Sequence, residues 1–324
     1  MKADSNLERV LAAGHFAVTA ELGPPMSGDP AVVREKAGIL RGCADAINIT
    51  DAQTAVVRLS SIASAALLVQ EGLEPVMQMT TRDRNRIAIQ CDILGAAALG
   101  IRNCLCIAGD HQSFGAAGKL KGHPGSRNVY DVDSIQLVGI LKKMRDEGLQ
   151  EGGDPLEAPV RLFIGAAWTP MGDPVEFRVI RLAKKAAAGA DFIQTQGVYD
   201  VARFAEAMRQ ARHRGLHEKT AILAGIIVPK SAGMLRYMNS SVAGVSVPEE
   251  LIKRFPSVKK GASPAEKKEA RRKSEELGKQ IAVELIQQVR EIEGVRGVHI
   301  QAIEWEKAVP DIVKAAGLLP RPTV

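Results

Sequence analysis

Short apolar runs alternate along nearly the whole chain with longer stretches in which apolar positions recur every three or four residues. The first pattern reads as buried strands and the second as amphipathic helices. Eight strand-like runs stand out: 16–22 (FAVTAEL), 45–50 (DAINIT), 75–80 (PVMQMT), 103–109 (NCLCIAG), 160–167 (VRLFIGAA), 190–196 (ADFIQTQ), 220–226 (TAILAGI) and 297–303 (GVHIQAI). Helical patterns fall between and after them, near 30–41, 57–71, 84–99, 132–148, 174–188, 201–214, 230–239, 264–292 and 305–317. Repeated βα units imply a parallel sheet, and eight of them fit a closed (β/α)8 TIM barrel better than an open sheet. The expectation is one α/β domain over residues 1–324.

Neighbouring residues of a strand point to opposite faces, so parity assigns side chains to the inside or outside of such a barrel. One parity carries Val18, Ile47, Ile49, Leu105, Ile107, Ile193, Val298 and Ile300, expected to face the helices. The other carries Thr19, Glu21, Asn48, Thr50, Gln78, Thr80, Asp110, Gln194, Gln196, His299 and Gln301, expected to line the interior. The later members of this polar set lie nearest the C-terminal mouth, where barrel enzymes keep their chemistry.

Two stretches depart from the pattern. Residues 111–130 (HQSFGAAGKLKGHPGSRNVY) form a long polar, Gly-containing loop on the catalytic side, and loops of that length inside a domain are usually functional. Residues 243–292 hold an insertion and a long basic helix. There Ser263, Pro264 and Glu266 read as N-cap, N1 and N3 of a capping box, which puts the basic run on the first turns of the helix. No stacking aromatics accompany that charge, so a solvated helix face is preferred to a nucleic-acid patch.

Composition narrows the class. Of the 324 residues 46% are hydrophobic and 25% charged, ordinary for a globular chain with a sizeable core. No apolar run approaches a membrane span, and the N-terminal stretch lacks a signal-peptide core, so a cytoplasmic protein is expected. The net charge of +6 attracts acidic partners without selecting one. Cys43, Cys91, Cys104 and Cys106 contain no CxxC pair and the six histidines no HExxH, which argues against a disulfide framework or metal centre. Cys104 and Cys106 share one strand face and read as small core residues.

No GxxxxGK[ST] or GxGxxG is present, so any dinucleotide is held by other means. Four segments carry the candidate chemistry: TAELGPP (19–25), MTTRDRN (79–85), IAGD (107–110) and TQGVYD (195–200). Glu21 ends the first strand ahead of Gly23, Pro24 and Pro25. A partly desolvated carboxyl there can serve as a general acid, and a buried structural carboxyl fits equally well. Asp110, after Gly109, can stabilise a cation or cap a loop. Asp83 is expected to be the N-cap of the helix at 84–99. The amide of Gln196 can both donate and accept, which suits a planar heterocycle. Lys184 and Lys185 precede the sixth strand, where solvation ordinarily explains them.

Taken in order, TAELGPP, NITD, MTTRDRN, GAAALGIRNCLCIAGD, KKAAAGADFIQTQGVYD and GIIVPKS resemble the methylenetetrahydrofolate reductase family, from the first strand to the closing GLLPRP. The likeness is greatest to the short bacterial form without a regulatory domain. It implies a flavoprotein of one-carbon metabolism that reduces 5,10-methylenetetrahydrofolate to 5-methyltetrahydrofolate. In that chemistry a proton on the outer nitrogen opens the ring to an iminium, which takes hydride from the reduced flavin.

By the resemblance, Glu21 is the general acid, Asp110 the acid beside flavin and pterin, and Gln196 a folate-binding amide. Gln301 falls at a folate-facing position with an altered residue type. Thr50, Gln78, Ala108, Gly109, Asp110, Tyr130, Asp131, Trp168 and Lys185 match flavin-contacting positions, Lys185 as a phosphate contact. Two departures bear on cofactor and donor. Ala108 stands where family members commonly have arginine, which leaves both FAD and FMN open. Ala232, Gly233 and Met234 stand where an aromatic usually stacks on the pyridine nucleotide. Electrons then come from NADH or NADPH, or from a ferredoxin or partner subunit. The chain is expected to be a homo-oligomer or a subunit of a complex, with no nucleic-acid partner. The competing readings are another pterin-dependent barrel, such as a corrinoid methyltransferase, and a scaffold subunit.

Overall fold

In the computed structural model, which describes residues 1–113, 122–257 and 261–324, the apolar runs form eight parallel strands hydrogen-bonded in sequence order and closed on themselves. They are β1 (Ala17–Leu22), β2 (Ala46–Ile49), β3 (Pro75–Thr80), β4 (Asn103–Ile107), β5 (Phe163–Trp168), β6 (Phe192–Gly197), β7 (Ala221–Ile227) and β8 (Val295–Gln301). Closure comes from β1 pairing with β8, Ala17 opposite Gly297 and Thr19 opposite His299. The helices are α1 (Asn6–Ala12), α2 (Pro30–Leu40), α3 (Ser61–Gln70), α4 (Arg86–Ala98), α5 (Ser134–Asp146), α6 (Val175–Ala188), α7 (Val201–His213), α8 (Leu216–Lys219), α9 (Ala232–Ser241), α10 (Glu249–Lys253), α11 (Pro264–Arg290) and α12 (Val309–Ala315). The expected (β/α)8 barrel is therefore the observed one. Among the described residues no helix is long and apolar enough to cross a membrane. Part of the 111–130 loop, residues 114–121, and residues 258–260 of the 243–292 stretch lie outside the described residues.

Side chains divide the molecule into two apolar volumes. The larger lies between strands and outer helices and holds Val18, Ile47, Ile49, Ile193, Val298 and Ile300, as parity requires. Cys104 and Cys106 are buried there too. The smaller fills the N-terminal end of the barrel interior with Ala17, Val76, Leu105, Phe163, Phe192 and Leu223, closed from below by Leu7 and Val10 of α1. Phe163 and Phe192 stack with centroids 5.2 Å apart. Their space exists because β5 has Gly165, where a Cβ would come 2.2 Å from the Phe192 ring.

This arrangement corrects the expectation for β4. Leu105 and Ile107 face the interior, Leu105 opposite Gln78 and Ile107 opposite Thr80, while the cysteines take the helix side. The apolar character of both parities hid the direction. Helix α1 was also unforeseen, because it is too short to show a period. Its first turn is fixed by Glu74, which accepts from the Asn6 and Leu7 amides at 2.5 and 2.8 Å. Burial pushes the Glu74 carboxyl up while those amides pull it down.

Local capping follows sequence chemistry with one exception. Ser263 and Glu266 form the expected capping box on α11. Its early basic residues are exposed and paired along the helix, Arg271 with Glu275 and Arg272 with Glu269, as a solvated face requires. The cap of α4 is Asn85, which accepts from the Ile87 and Ala88 amides. Asp83 instead holds Arg82 at 2.6 Å, because a buried guanidinium needs an anion more than an exposed helix end needs a second cap.

Candidate active site

Above the apolar plug the barrel interior turns polar. Thr19, Asn48, Gln194 and His299 are each at most 3% exposed, and they hydrogen-bond to one another, with Val298 O a further acceptor for the Thr19 hydroxyl. Asn48 donates to Gln194 at 2.6 Å, and the Gln194 amide donates to Asn48 Oδ1 at 3.0 Å and Thr19 Oγ1 at 3.1 Å. Thr19 Oγ1 lies 3.0 Å from His299 Nδ1. Buried polar groups are costly unless satisfied, and here a ring of amide, hydroxyl and imidazole satisfies itself.

One layer higher, this ring supports Glu21. Its side chain is 16% exposed, with Oε2 3.8 Å from His299 Nε2 and 3.3 Å from the Gln301 amide, which donates to it. The Gln301 Oε1 atom is buried and has no partner. Thr19 Oγ1 accepts from Gln194, and its own hydrogen has two acceptors in reach, His299 Nδ1 at 3.0 Å and Val298 O at 3.4 Å. When it goes to Nδ1, the imidazole N–H is on Nε2, toward Glu21.

Glu21, Asp110 and Gln196 line one cavity of about 550 Å3 at the C-terminal mouth, together with Thr50, Gln78, Gly109, Trp168 and Gln301. Such a volume is ordinary for a small-molecule site. Leu105, Ile107, Trp168 and Ile227 give it an apolar wall. The Trp168 indole N–H donates to Arg178 O at 3.0 Å, which locks the ring. Gln196 is aimed into the mouth at a register shift between β6 and β7, where its own carbonyl oxygen Oε1 accepts from the Gly197 amide.

The Asp110 carboxylate caps a loop, the structural role open to it in the sequence. It accepts from the Thr54 amide at 2.8 Å, and Thr54 belongs to a turn in which Ala52, Thr54 and Ala55 all have positive φ, from 45° to 57°. Three non-glycine residues in that region are strained, and such strain is held only where surrounding contacts over-determine it. Arg82, 3% exposed, supplies another hold, donating to Ala52 O at 3.3 Å and Asp110 O at 3.0 Å. Asp51, beneath, accepts from the Thr80 amide and hydroxyl and from Arg84. Gly109 has φ +87°, and a Cβ there would come 3.0 Å from Thr80 and 3.1 Å from Arg82, so the chain passes close only as glycine.

Other matched positions stand outside the cavity lining. Ala108 is exposed and its carbonyl accepts from the Arg82 amide. Tyr130 is 39% exposed on the rim, its hydroxyl donating to Gly109 O at 3.2 Å. Asp131 pairs with Arg86 at 2.8 Å. Lys185, expected to be solvated or on a phosphate, is buried and donates to Ala167 O behind β5. Burial pushes its ammonium down to about 8.

Tyr237 went unrecognised in the sequence. It lies on α9, one turn beyond Ala232, Gly233 and Met234, and lines the cavity while 51% exposed. Its position in the helical repeat, rather than in the loop itself, was the available signal. Among the described residues no cluster of His, Cys, Asp and Glu could hold a metal ion.

Comparison with known proteins adds three findings. A family model described as methylenetetrahydrofolate reductase matches residues 6–317. A protein of Caenorhabditis elegans called probable methylenetetrahydrofolate reductase (NADPH) is 20% identical over 266 residues, 81% of this chain and 35% of that protein. The chain thus spans about a third of the length of that relative. A solved structure from Clostridium thermocellum, described as an uncharacterized protein that binds two copies of 5-methyl-5,6,7,8-tetrahydrofolic acid, superposes with a TM-score of 0.60 at 14% identity. It covers 97% of this chain and 100% of that one. At that identity the likeness concerns the fold.

Proposed function

The chain belongs to the methylenetetrahydrofolate reductase family, and from that premise we propose that it reduces 5,10-methylenetetrahydrofolate to 5-methyltetrahydrofolate with a bound flavin. The observation that carries the proposal is the environment of Glu21. Gln301 Nε2 donates to Oε2 and His299 Nε2 lies 3.8 Å from the same oxygen. The other oxygen is therefore the one left for exchange with the cavity.

The site suits a flavin. Thr50 and Gln78 offer hydroxyl and amide groups, Trp168 and Ile107 an apolar wall, and Gly109 a close approach of backbone. Ala108, Tyr130 and Asp131 belong to the same cofactor side by family match, whereas Lys185, buried behind β5 and bonded to Ala167 O, does not reach it. A flavin held there would, once reduced, supply the hydride for the methylene carbon. FAD is the first expectation, and Ala108 keeps FMN open.

The chain's own residues handle proton and charge. Glu21 delivers a proton to the outer nitrogen of the substrate, the carbon–nitrogen bond to the methylene group breaks, and a cationic iminium remains on the inner nitrogen. Asp110, fixed by Thr54 and Arg82, stabilises that cation through a carboxylate already oriented before substrate arrives. The unpartnered Gln301 Oε1 accepts an N–H of the pterin, and Gln196 turns its amide to the same ring. His299, steadied by Thr19, stands 3.8 Å from Glu21 Oε2 and helps fix the orientation of that carboxyl.

Tyr237 favours direct use of a pyridine nucleotide, because it presents an exposed aromatic face in the mouth although the loop before it has none. A donor protein or ferredoxin is the other source. The test is a visible spectrum of anaerobically purified protein. A flavin spectrum is expected that bleaches with 5-methyltetrahydrofolate, the half-reaction running backwards, and with NADH or NADPH. Bleaching by folate alone assigns the donor role to a protein. A colourless preparation that fails to take up FAD or FMN refutes the flavin mechanism.

A further inference from the structure

A second, smaller cavity of about 190 Å3 lies between loop 23–25, which leaves β1, and residues 302–304, which leave β8. Glu21, Gln53, Thr54 and Ile303 line both cavities, so the two meet across one shared wall. Asp110, Gln196 and Gln301 line the larger cavity. Among the described residues, Glu21 is the one proposed reacting group that lines both.

The walls of this side cavity are braced. Lys36 of α2 donates to Gly23 O at 3.1 Å and pairs with Glu306 at 2.8 Å, which ties the loop after β1 to the turn after β8. Arg58 donates to Pro24 O at 3.2 Å. Both cations thus hold carbonyls of loop 23–25, and Pro24 and Pro25 have no N–H with which to fold that loop across the gap. Arg58 Nε is buried with no protein partner among the described residues. A buried donor needs an acceptor, and a polar cavity of this size has room for several waters. The exposed Ile303 and Glu304 form its outer edge, which joins such waters to solvent.

We propose that the side cavity is the route by which solvent returns a proton to Glu21 after each turnover. The inference rests on the reading of Glu21 as the general acid. Once Glu21 has protonated the outer nitrogen of the folate it is a carboxylate, and the folate fills the larger cavity on that side. The replacement proton then comes from hydronium in the side cavity: one O–H bond of hydronium breaks, one forms on Glu21, and a water molecule is left. Glu304 and Glu306 line this path, and their negative charge favours a cationic proton carrier. The cations that face it, Lys36 and Arg58, are engaged by Glu306 and by the carbonyls of loop 23–25. His299 lines the larger cavity and is 2% exposed, so it has no solvent path of its own. Folate and proton thereby reach Glu21 from different sides.

Filling the side cavity tests the route. Gly23 lines it, and a Cβ there would meet the flexible end of Gln53 at 3.3 Å, so Gly23→Val should occupy that space and leave the larger cavity unaltered. The first turnover is read in stopped flow as reoxidation of photoreduced flavin by 5,10-methylenetetrahydrofolate, and later turnovers in steady state with a reduced viologen dye as donor. In the variant the first turnover, made with the proton already on Glu21, should stay within about two-fold of wild type. Steady-state turnover should fall by about 10-fold or more, and formate buffer at fixed pH should restore part of it by carrying protons through the mouth. Should Gly23→Val fail to fold, Ala302→Val fills the same cavity from the β8 side. Unchanged steady-state turnover, or a first turnover slowed as much as the later ones, would overturn the route. A first turnover that survives Glu21→Gln would instead overturn the reading of Glu21 as the acid, and with it the need for a route.

Discussion

The two halves of the barrel interior are built from the same strands and do opposite work. Below, Phe163, Phe192 and Leu223 pack with α1 into an apolar plug. Above, Thr19, Asn48, Gln194 and His299 satisfy one another and hold Glu21 at the edge of a cavity. The lesson is a division of labour along each strand: a residue early in a strand contributes to stability, and one two or four positions later contributes to the site. On β1 the order is Ala17, Thr19, Glu21, and on β6 it is Phe192, Gln194, Gln196.

Substitutions in the two halves should therefore separate cleanly. Glu21→Gln should lower folate turnover by about 1,000-fold, the scale of a lost general acid, while flavin reduction by its donor and the melting temperature stay near wild type. Loss of both half-reactions would make Glu21 structural. Phe192→Ala should cost about 4 kcal/mol of stability in denaturant unfolding, with turnover of the folded fraction within about two-fold of wild type. A large loss of turnover at low temperature would break the division.

The middle layer should show both effects. Gln194→Leu removes three hydrogen bonds and leaves Asn48 and Thr19 without their partner, a cost of about 3 kcal/mol at roughly 1 kcal/mol each. It should also slow turnover through His299 and Glu21. Lys185→Met marks the boundary from outside. The folded ammonium titrates near 8, below the ordinary 10.5. Between those pH values the unfolded chain binds a proton that the folded chain does not, so wild-type stability rises with pH across that window. The variant should be more stable at pH 7 by about 2 kcal/mol, the charge penalty less one lost hydrogen bond. That advantage should vanish above about pH 10.5. An advantage independent of pH would show that Lys185 holds its proton equally in the folded and unfolded chain, with no depression on folding.

Much of this was legible in the chain itself. Strand count and order were readable because each strand is an apolar run bounded by turn residues, and Glu21, Gln196 and Gln301 were readable because polar residues at one parity contrast with aliphatics at the other. Strand β4 failed for the same reason, since Asn103, Leu105 and Ile107 on one face and Cys104 and Cys106 on the other give no such contrast. Arg82 and the strained turn at 52–55 were invisible because their roles depend on a contact between loops 28 or more residues apart, Arg82 with Asp110 and Ala52. Tyr237 was hidden by a helical turn, which carries a side chain back over the mouth from a position the loop pattern does not mark.

The plug beneath the polar layer also bears on kinetics. With α1 and the stacked phenylalanines packed into the lower end, the cavity lies at the C-terminal mouth, and under the proposed flavin chemistry donor and folate would take the same flavin face in turn, the reduced flavin holding the electrons between them. Initial rates measured against donor at several fixed folate concentrations should then give parallel lines in a double-reciprocal plot, the signature of an enzyme that releases one product before it admits the next substrate.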